Sequence, residues 1–266
     1  MEEELMNLPK KKYLKIANRL SHLIELHFKK AGFENAILGL SGGLDSSTTA
    51  YLLADALGEQ HVFGAILPSS ASRRLDLEHA HLVARSLGID HYAFNISDII
   101  HSIASRIHGY GLSPQNEIAK GNITARLRAI FLYNLAARKR ALVVGTGDRS
   151  ELLLGYFTKY GDGAVDLLPL GSLYKTEVKE LASAIGVPRA IINKPPSPGL
   201  WAGQSAEKEL GASYEKLDEV LRLLVDKKMK PKRAAKKVRN QQLVERVLYL
   251  MRSSEHKRRL PPILMP

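Results

Sequence analysis

Asn35-Ala36-Ile37-Leu38-Gly39-Leu40-Ser41-Gly42-Gly43-Leu44-Asp45-Ser46-Ser47 decides the fold of this chain. A short apolar run stops at Ser-Gly-Gly, and helical spacing takes over from Asp45 to Leu57, with Gly58 as the stop. An apolar run this short reads as a strand buried on both faces. In open parallel sheets, ligands bind at the carboxyl ends of the strands. A helix N-terminus at that place offers unpaired N–H groups and the positive end of a dipole. Gly42 and Gly43 let the backbone turn tightly and approach an anion, and Ser41, Ser46 and Ser47 add hydroxyl donors. Asp45 is acidic where an anion should sit, so it reads as a ligand for a cation that bridges phosphates. The Gly-Lys-Ser/Thr of a Walker loop and the glycine spacing of a dinucleotide fingerprint are both absent. A plain Ser-capped helix is the alternative, but two glycines and three hydroxyls exceed what a cap needs.

Outward from this junction, helix and strand signals alternate. Lys11 to Lys30 has helical spacing, from Tyr13 to Phe28. Strands are expected at 35–40, 61–67, 89–94 and 141–145. Helices are expected at 45–57, 75–87, from Ser97 as cap to about His108, and at 118–140. The order predicts an α/β, Rossmann-like, doubly wound parallel sheet with helices on both faces. Residues 146–172 are rich in glycine, aspartate and aromatics and read as a long functional loop. Helices resume at 175–185, 214–225 and 241–251, separated by Lys194-Pro195-Pro196-Ser197-Pro198-Gly199, whose prolines forbid a helix. The whole chain, 1–266, reads as one domain, with its core sheet at about 35–192 and a helical C-terminal region at about 213–262.

Composition narrows the function. The 266 residues carry a formal charge of +12 and no cysteine. Absence of cysteine excludes disulfides, thiolate zinc sites and a cysteine nucleophile. No apolar run reaches membrane-helix length, and Met1-Glu2-Glu3-Glu4 has the wrong charge for a signal peptide, so the expected compartment is the cytoplasm. A charge of +12 suggests nucleic acid at first. Yet residues 226–259 hold 13 Lys/Arg against 3 acids, hence +10, leaving 12 − 10 = +2 for everything else. The body is nearly neutral and the basicity is C-terminal, which favours small-molecule substrates over nucleic acid.

Ser-Gly-Gly-x-Asp-Ser resembles the loop of the N-type ATP pyrophosphatases. Further segments are similar to the NAD synthetases within that group: Gly121-Asn122-Ile123-Thr124-Ala125-Arg126-Leu127-Arg128, Gly145-Thr146, Ser150-Glu151, Gly155 through Gly163, Asp166-Leu167-Leu168-Pro169-Leu170, Leu173-Tyr174-Lys175-Thr176, Glu209-Leu210-Gly211 and Ser254-Glu255-His256-Lys257-Arg258. The resemblance spans roughly residues 15–262. It implies an ammonia-dependent NAD synthetase, in which the nicotinate carboxylate of deamido-NAD attacks the α-phosphate of ATP. Pyrophosphate leaves, ammonia attacks the acyl adenylate, and NAD and AMP are released.

Carried onto matching positions, the resemblance implies ATP contacts from Gly39, Leu40, Ser41, Gly42, Gly43, Leu44, Asp45, Ser46, Thr146, Lys175 and Ser197. It implies deamido-NAD contacts from Arg126, Lys159, Asp166, His256 and Lys257. Asp45 and Glu151 would hold magnesium from the ends of two strands, and Lys175 would face the α-phosphate, so Asp45, Glu151 and Lys175 form the catalytic set. Carboxylate attack on a phosphate brings two anions together, so catalysis rests on neutralisation and positioning. Plainer readings make Glu151 a helix-start acid and Trp201 a core anchor.

The chain departs from the family at Ala206, where an aspartate is common, at Ala164 in place of a glycine, and at Asp148 in place of an asparagine. None of these touches the residues assigned to magnesium. Without cysteine the chain cannot hydrolyse glutamine, so it uses free ammonia or receives it from a separate partner. The family implies a homodimer with deamido-NAD at the interface. A tRNA-modifying relative with the same loop and a non-catalytic nucleotide-binding module are the competing readings.

Overall fold

The computed structural model describes residues 2–108 and 116–265, with side chains at 10–107 and 116–265. Helix α1 (Glu2–Ala31) precedes β1 (Asn35–Gly39), α2 (Leu44–Leu57), β2 (Val62–Ile66), α3 (Arg74–Leu87), β3 (Asp90–Ala93), α4 (Ser97–His108), α5 (Glu117–Lys139) and β4 (Ala141–Val143). These are the expected elements in the expected order, with two adjustments. Helix α1 starts nine residues before Lys11, where the apolar spacing begins. Ser97 is the first helical residue rather than the cap, and its N–H donates to the Asn95 side chain at 2.9 Å.

The strands form one parallel sheet in the order β3-β2-β1-β4. The central strand β1 and its neighbour β2 have buried interiors, as continuous apolar runs require. At the edge, β3 is Asp90-His91-Tyr92-Ala93 and largely exposed, the polar character that guards a free edge. The chain winds from β1 out to β3 and then crosses to place β4 on the other side of β1. That reversal opens a crevice at the carboxyl ends of β1 and β4. Beyond β4, Val144 bridges Leu167, which lines residues 166–167 along the same edge.

One apolar cluster fills the face covered by α1, α2 and α3, with Phe28, Leu38, Leu52, Leu53 and Ile66 almost wholly buried. The buried hydroxyls of Ser47 and Thr48 inside α2 donate to the carbonyls of Gly43 and Leu44, at 2.7 Å each. Smaller clusters pack α4 and α5 against the other face.

The stretch after β4 is less irregular than expected. It contains α6 (Arg149–Leu154), and then come α7 (Lys175–Ala184), α8 (Arg189–Ile192), α9 (Ala206–Leu210), α10 (Tyr214–Leu221), α11 (Pro231–Val238) and α12 (Gln241–Ser253). Helix α10 runs on into a wider π-helical turn, Arg222–Asp226. The last four helices build a second apolar cluster with Leu154 and Tyr174, centred on Leu217, Val220, Leu221 and Val247.

Candidate active site

The crevice is a cavity of about 810 Å³, lined among others by Gly39, Leu40, Ser41, Gly43, Leu44, Asp45, Thr146, Glu151, Lys175, Ser197, Trp201 and Lys257. The turn from β1 into α2 forms its floor. Gly42 sits at φ 70°, and a Cβ there would overlap the Asp76 carbonyl oxygen. Gly43 caps α2 with no side-chain hydrogen bond, so the first-turn N–H groups are left for an incoming anion. Gly42 and Ser46 stand behind the cavity wall. The Ser46 hydroxyl is buried, 3.0 Å from Ser41 Oγ and 3.2 Å from the Gly43 carbonyl, and it shapes the loop from within.

Lys175, the first residue of α7, meets this floor from the far side. Its Nζ lies 2.9 Å from Asp45 Oδ2, 2.9 Å from Glu151 Oε1 and 2.7 Å from Asp148 Oδ2. Burial alone would drive the ammonium to give up its proton. The three carboxylates outweigh it and hold the Lys175 pKa well above its ordinary value. Burial raises Glu151 well above the usual carboxylate range and Asp148 to about 6, against the pull of Lys175.

Glu151 is carried by α6, not by the end of a strand. Asp148 caps that helix, accepting from the Glu151 N–H at 2.8 Å, while Glu151 Oε2 accepts from the Asp148 N–H at 3.3 Å. Glu151 is therefore a helix-start acid and a wall of the cavity at once. Asp148, expected to stand clear of the residues assigned to magnesium, touches one of them, Glu151, and Lys175 besides. The sequence carried a signal for it: Asp148-x-x-Glu151 is the spacing of a capping box.

Ser150, which the motif Ser150-Glu151 contains without a role of its own, and Asp218, which no motif contains, are both buried beneath this cluster. Ser150 Oγ donates to Asp218 Oδ1 at 2.5 Å and accepts from the Lys175 N–H at 3.0 Å, and Asp218 Oδ2 accepts from the Thr176 N–H at 2.9 Å. The start of α7 is thus fastened to α6 through a carboxylate on α10.

The remaining candidates divide. Lys257 lines the cavity and donates to the carbonyls of Gly155 and Phe157 at 2.7 and 2.8 Å. Outside the cavity, Arg126 Nε donates to the Lys159 carbonyl at 3.3 Å, and Lys159 Nζ to the His256 carbonyl at 2.8 Å. Asp166 lies at the β4 edge, where its oxygens accept from Val143 N–H at 2.8 Å and Tyr133 O–H at 3.1 Å. Ser197 Oγ donates to the Gln204 carbonyl at 2.8 Å and folds the proline-rich segment on itself. Trp201 is no core anchor: half-buried, it lines the cavity and packs over Gly121 of α5.

A phosphate-loop floor facing a buried lysine ringed by carboxylates suits chemistry on a nucleotide phosphate. A family model described as NAD synthase matches residues 16–261. The chain belongs to the NAD synthase family. It is 46% identical to the NH(3)-dependent NAD(+) synthetase of Hyperthermus butylicus over 97% of this chain and 92% of that one. Among solved structures it is similar to an NMN synthetase from Francisella tularensis, with TM-score 0.80 and 34% identity over 97% of this chain and 98% of the other. It is also similar to an NH3-dependent NAD synthetase from Campylobacter jejuni, with TM-score 0.79 and 29% identity over 95% and 99%. Within the NAD synthase family the match spans the sheet, the phosphate loop and the C-terminal basic turn alike.

Proposed function

We infer that this chain is an ammonia-dependent NAD synthetase, a ligase that amidates deamido-NAD at the expense of ATP. The nicotinate carboxylate attacks the α-phosphate, pyrophosphate leaves, ammonia attacks the acyl adenylate, and NAD and AMP are released. The observation that carries this reading is the meeting of the phosphate loop with Asp45, Asp148, Glu151 and Lys175 in one cavity of an NAD synthase chain.

The site also supports magnesium. Asp45 and Glu151 both face the cavity beside Lys175, and Asp45 Oδ1 is buried without a hydrogen-bond partner among the described residues. Among the described residues no group of three or more His, Cys, Asp or Glu could hold a metal alone. Asp45 and Glu151 in one cavity are two carboxylates for an ion completed by substrate phosphate oxygens. When bound, magnesium neutralises triphosphate charge. The chain does the rest. The start of α2 and Ser41 hold phosphate oxygens, Lys175 stays protonated and faces the α-phosphate, and Thr146 and Ser197 border the nucleotide. Arg126, Lys159, Asp166, His256 and Lys257 hold deamido-NAD.

Ile130 and Tyr133, one turn apart on α5, are 63% and 39% exposed in the single chain, which supports a two-fold partner covering this face with deamido-NAD at the interface. A stable, active monomer in sedimentation would overturn that. No helix among the described residues is long and apolar enough to cross a membrane, in keeping with work in the cytoplasm.

The test is NAD formation from ATP and deamido-NAD by the purified chain with ammonium, run beside glutamine. Ammonium should support turnover and glutamine should not, because the chain has no cysteine. Equal rates with both would sink the ammonia reading. Likeness to the Francisella NMN synthetase favours a second reading, amidation of nicotinate mononucleotide. Higher kcat/KM on the mononucleotide in the same assay would replace the first reading with the second.

A further inference from the structure

Lys194 follows α8 and opens the proline-rich segment that lines one side of the cavity. Its side chain, 9% exposed, turns inward to the back of the phosphate loop. Nζ lies 2.5 Å from the Gly42 carbonyl oxygen, 2.7 Å from Asp76 Oδ1 and 3.4 Å from His79 Nδ1. An ammonium has three protons and no acceptor, so these three partners use it fully. Asp76 has a second cation, Arg73, whose Nε and Nη2 donate to it at 2.8 and 3.0 Å. The Gly42 carbonyl has only Lys194 as its side-chain donor among the described residues.

A peptide unit is planar and trans, so the Gly42 C=O and the Gly43 N–H point in opposite directions. Holding the oxygen at Lys194 therefore aims the N–H the other way, toward the cavity side of the loop. There its acceptor in the free chain is Ser41 Oγ at a long 3.2 Å, a bond that an incoming phosphate oxygen replaces. Between two glycines this peptide can rotate at little steric cost, and its orientation needs an anchor.

We propose that Lys194 is a positioning residue that locks the Gly42–Gly43 peptide so that the Gly43 N–H is presented to an ATP phosphate oxygen. The proposal rests on the ATP-binding reading of the loop. The same bond ties the segment carrying Ser197 and Trp201 to the phosphate loop, so that the two borders of the nucleotide site are set together.

The test is steady-state NAD formation by the full chain and its variants. Lys194→Met should raise the KM for ATP by about tenfold or more, the scale of one lost charge-assisted hydrogen bond. The KM for deamido-NAD should stay within about twofold. Lys194→Arg, which can still donate to the carbonyl, should recover part of the loss. Asp76→Asn leaves the ammonium on Gly42 and should shift the KM for ATP by less than about threefold. If Lys194→Met folds poorly because Asp76 has lost a counter-charge, the double variant with Asp76→Asn removes that charge and should keep the high KM for ATP. An unchanged KM for ATP in the methionine variants overturns the proposal. So does an equal effect of Asp76→Asn, which would assign the role to the ion pair. A wild-type chain that does not turn over ATP overturns the parent reading instead.

Discussion

Asp148 Oδ2 lies 2.7 Å from Lys175 Nζ, and no part of the Asp148 side chain reaches solvent. One residue thereby supplies the third wall around the lysine and the cap of the helix that carries Glu151. Its charge and its cap can be separated, because an asparagine caps as well as an aspartate.

Asp148→Asn should keep α6 intact and change how stability depends on pH. Burial raises the Asp148 carboxyl from 3.8 to about 6, opposed by Lys175 and reinforced by Asp45. A carboxyl with a higher pKa in the folded state binds more protons folded than unfolded. Its contribution to stability is present below the unfolded value and lost as pH rises through the folded one. The asparagine variant should therefore gain on the wild type between about pH 4 and pH 6, read from melting curves across that window. A constant difference would show that Asp148 does not titrate there.

Asp45→Asn removes a carboxylate from the cavity and no contact from the core. Turnover should fall by at least ~10²-fold, with the fold retained. Magnesium with ATP should raise the melting temperature of the wild type and not that of the variant. Near-wild-type turnover would refute the metal assignment.

Ser150→Ala should leave the Lys175 N–H and one oxygen of Asp218 buried without partners. The expected loss is about 2–4 kcal/mol, seen as a lower urea midpoint at unchanged m-value. A loss below about 0.5 kcal/mol would mean that water replaces the hydroxyl.

Gly155 has φ 67°, and a Cβ on it would overlap the Ser254 side chain. Gly155→Ala should cost about 2–4 kcal/mol from backbone strain and overpacking. It should also push the turn bearing His256 and Lys257 outward and raise the KM for deamido-NAD more than that for ATP. Equal changes in both constants would detach this turn from deamido-NAD.

Much of the fold is legible because apolar runs and glycine stops are local signals. Helix α3, expected at 75–87, occupies Arg74–Leu87 and ends at Gly88 in the left-handed conformation. Helix α6 has six residues, too few to show a period, and only its capping box betrays it. In the site, Lys175 and the phosphate loop stand out as sequence patterns. The partners of Lys175 are set by packing instead. Asp218 reaches Ser150 across 68 positions, and Lys194 reaches Gly42 across 152. Contacts at such separations leave no trace in local spacing.

The basic turn after α12 is sewn to residues far upstream. Arg258 donates to the carbonyls of Leu152 and Leu153 at 2.9 and 3.2 Å, and Lys257 to Gly155 across 102 positions. During translation the phosphate loop leaves the ribosome some two hundred residues before these two cations do. The cavity therefore acquires this wall long after the sheet has been made, and a nascent or clipped chain that lacks the turn can own the sheet without owning a complete site.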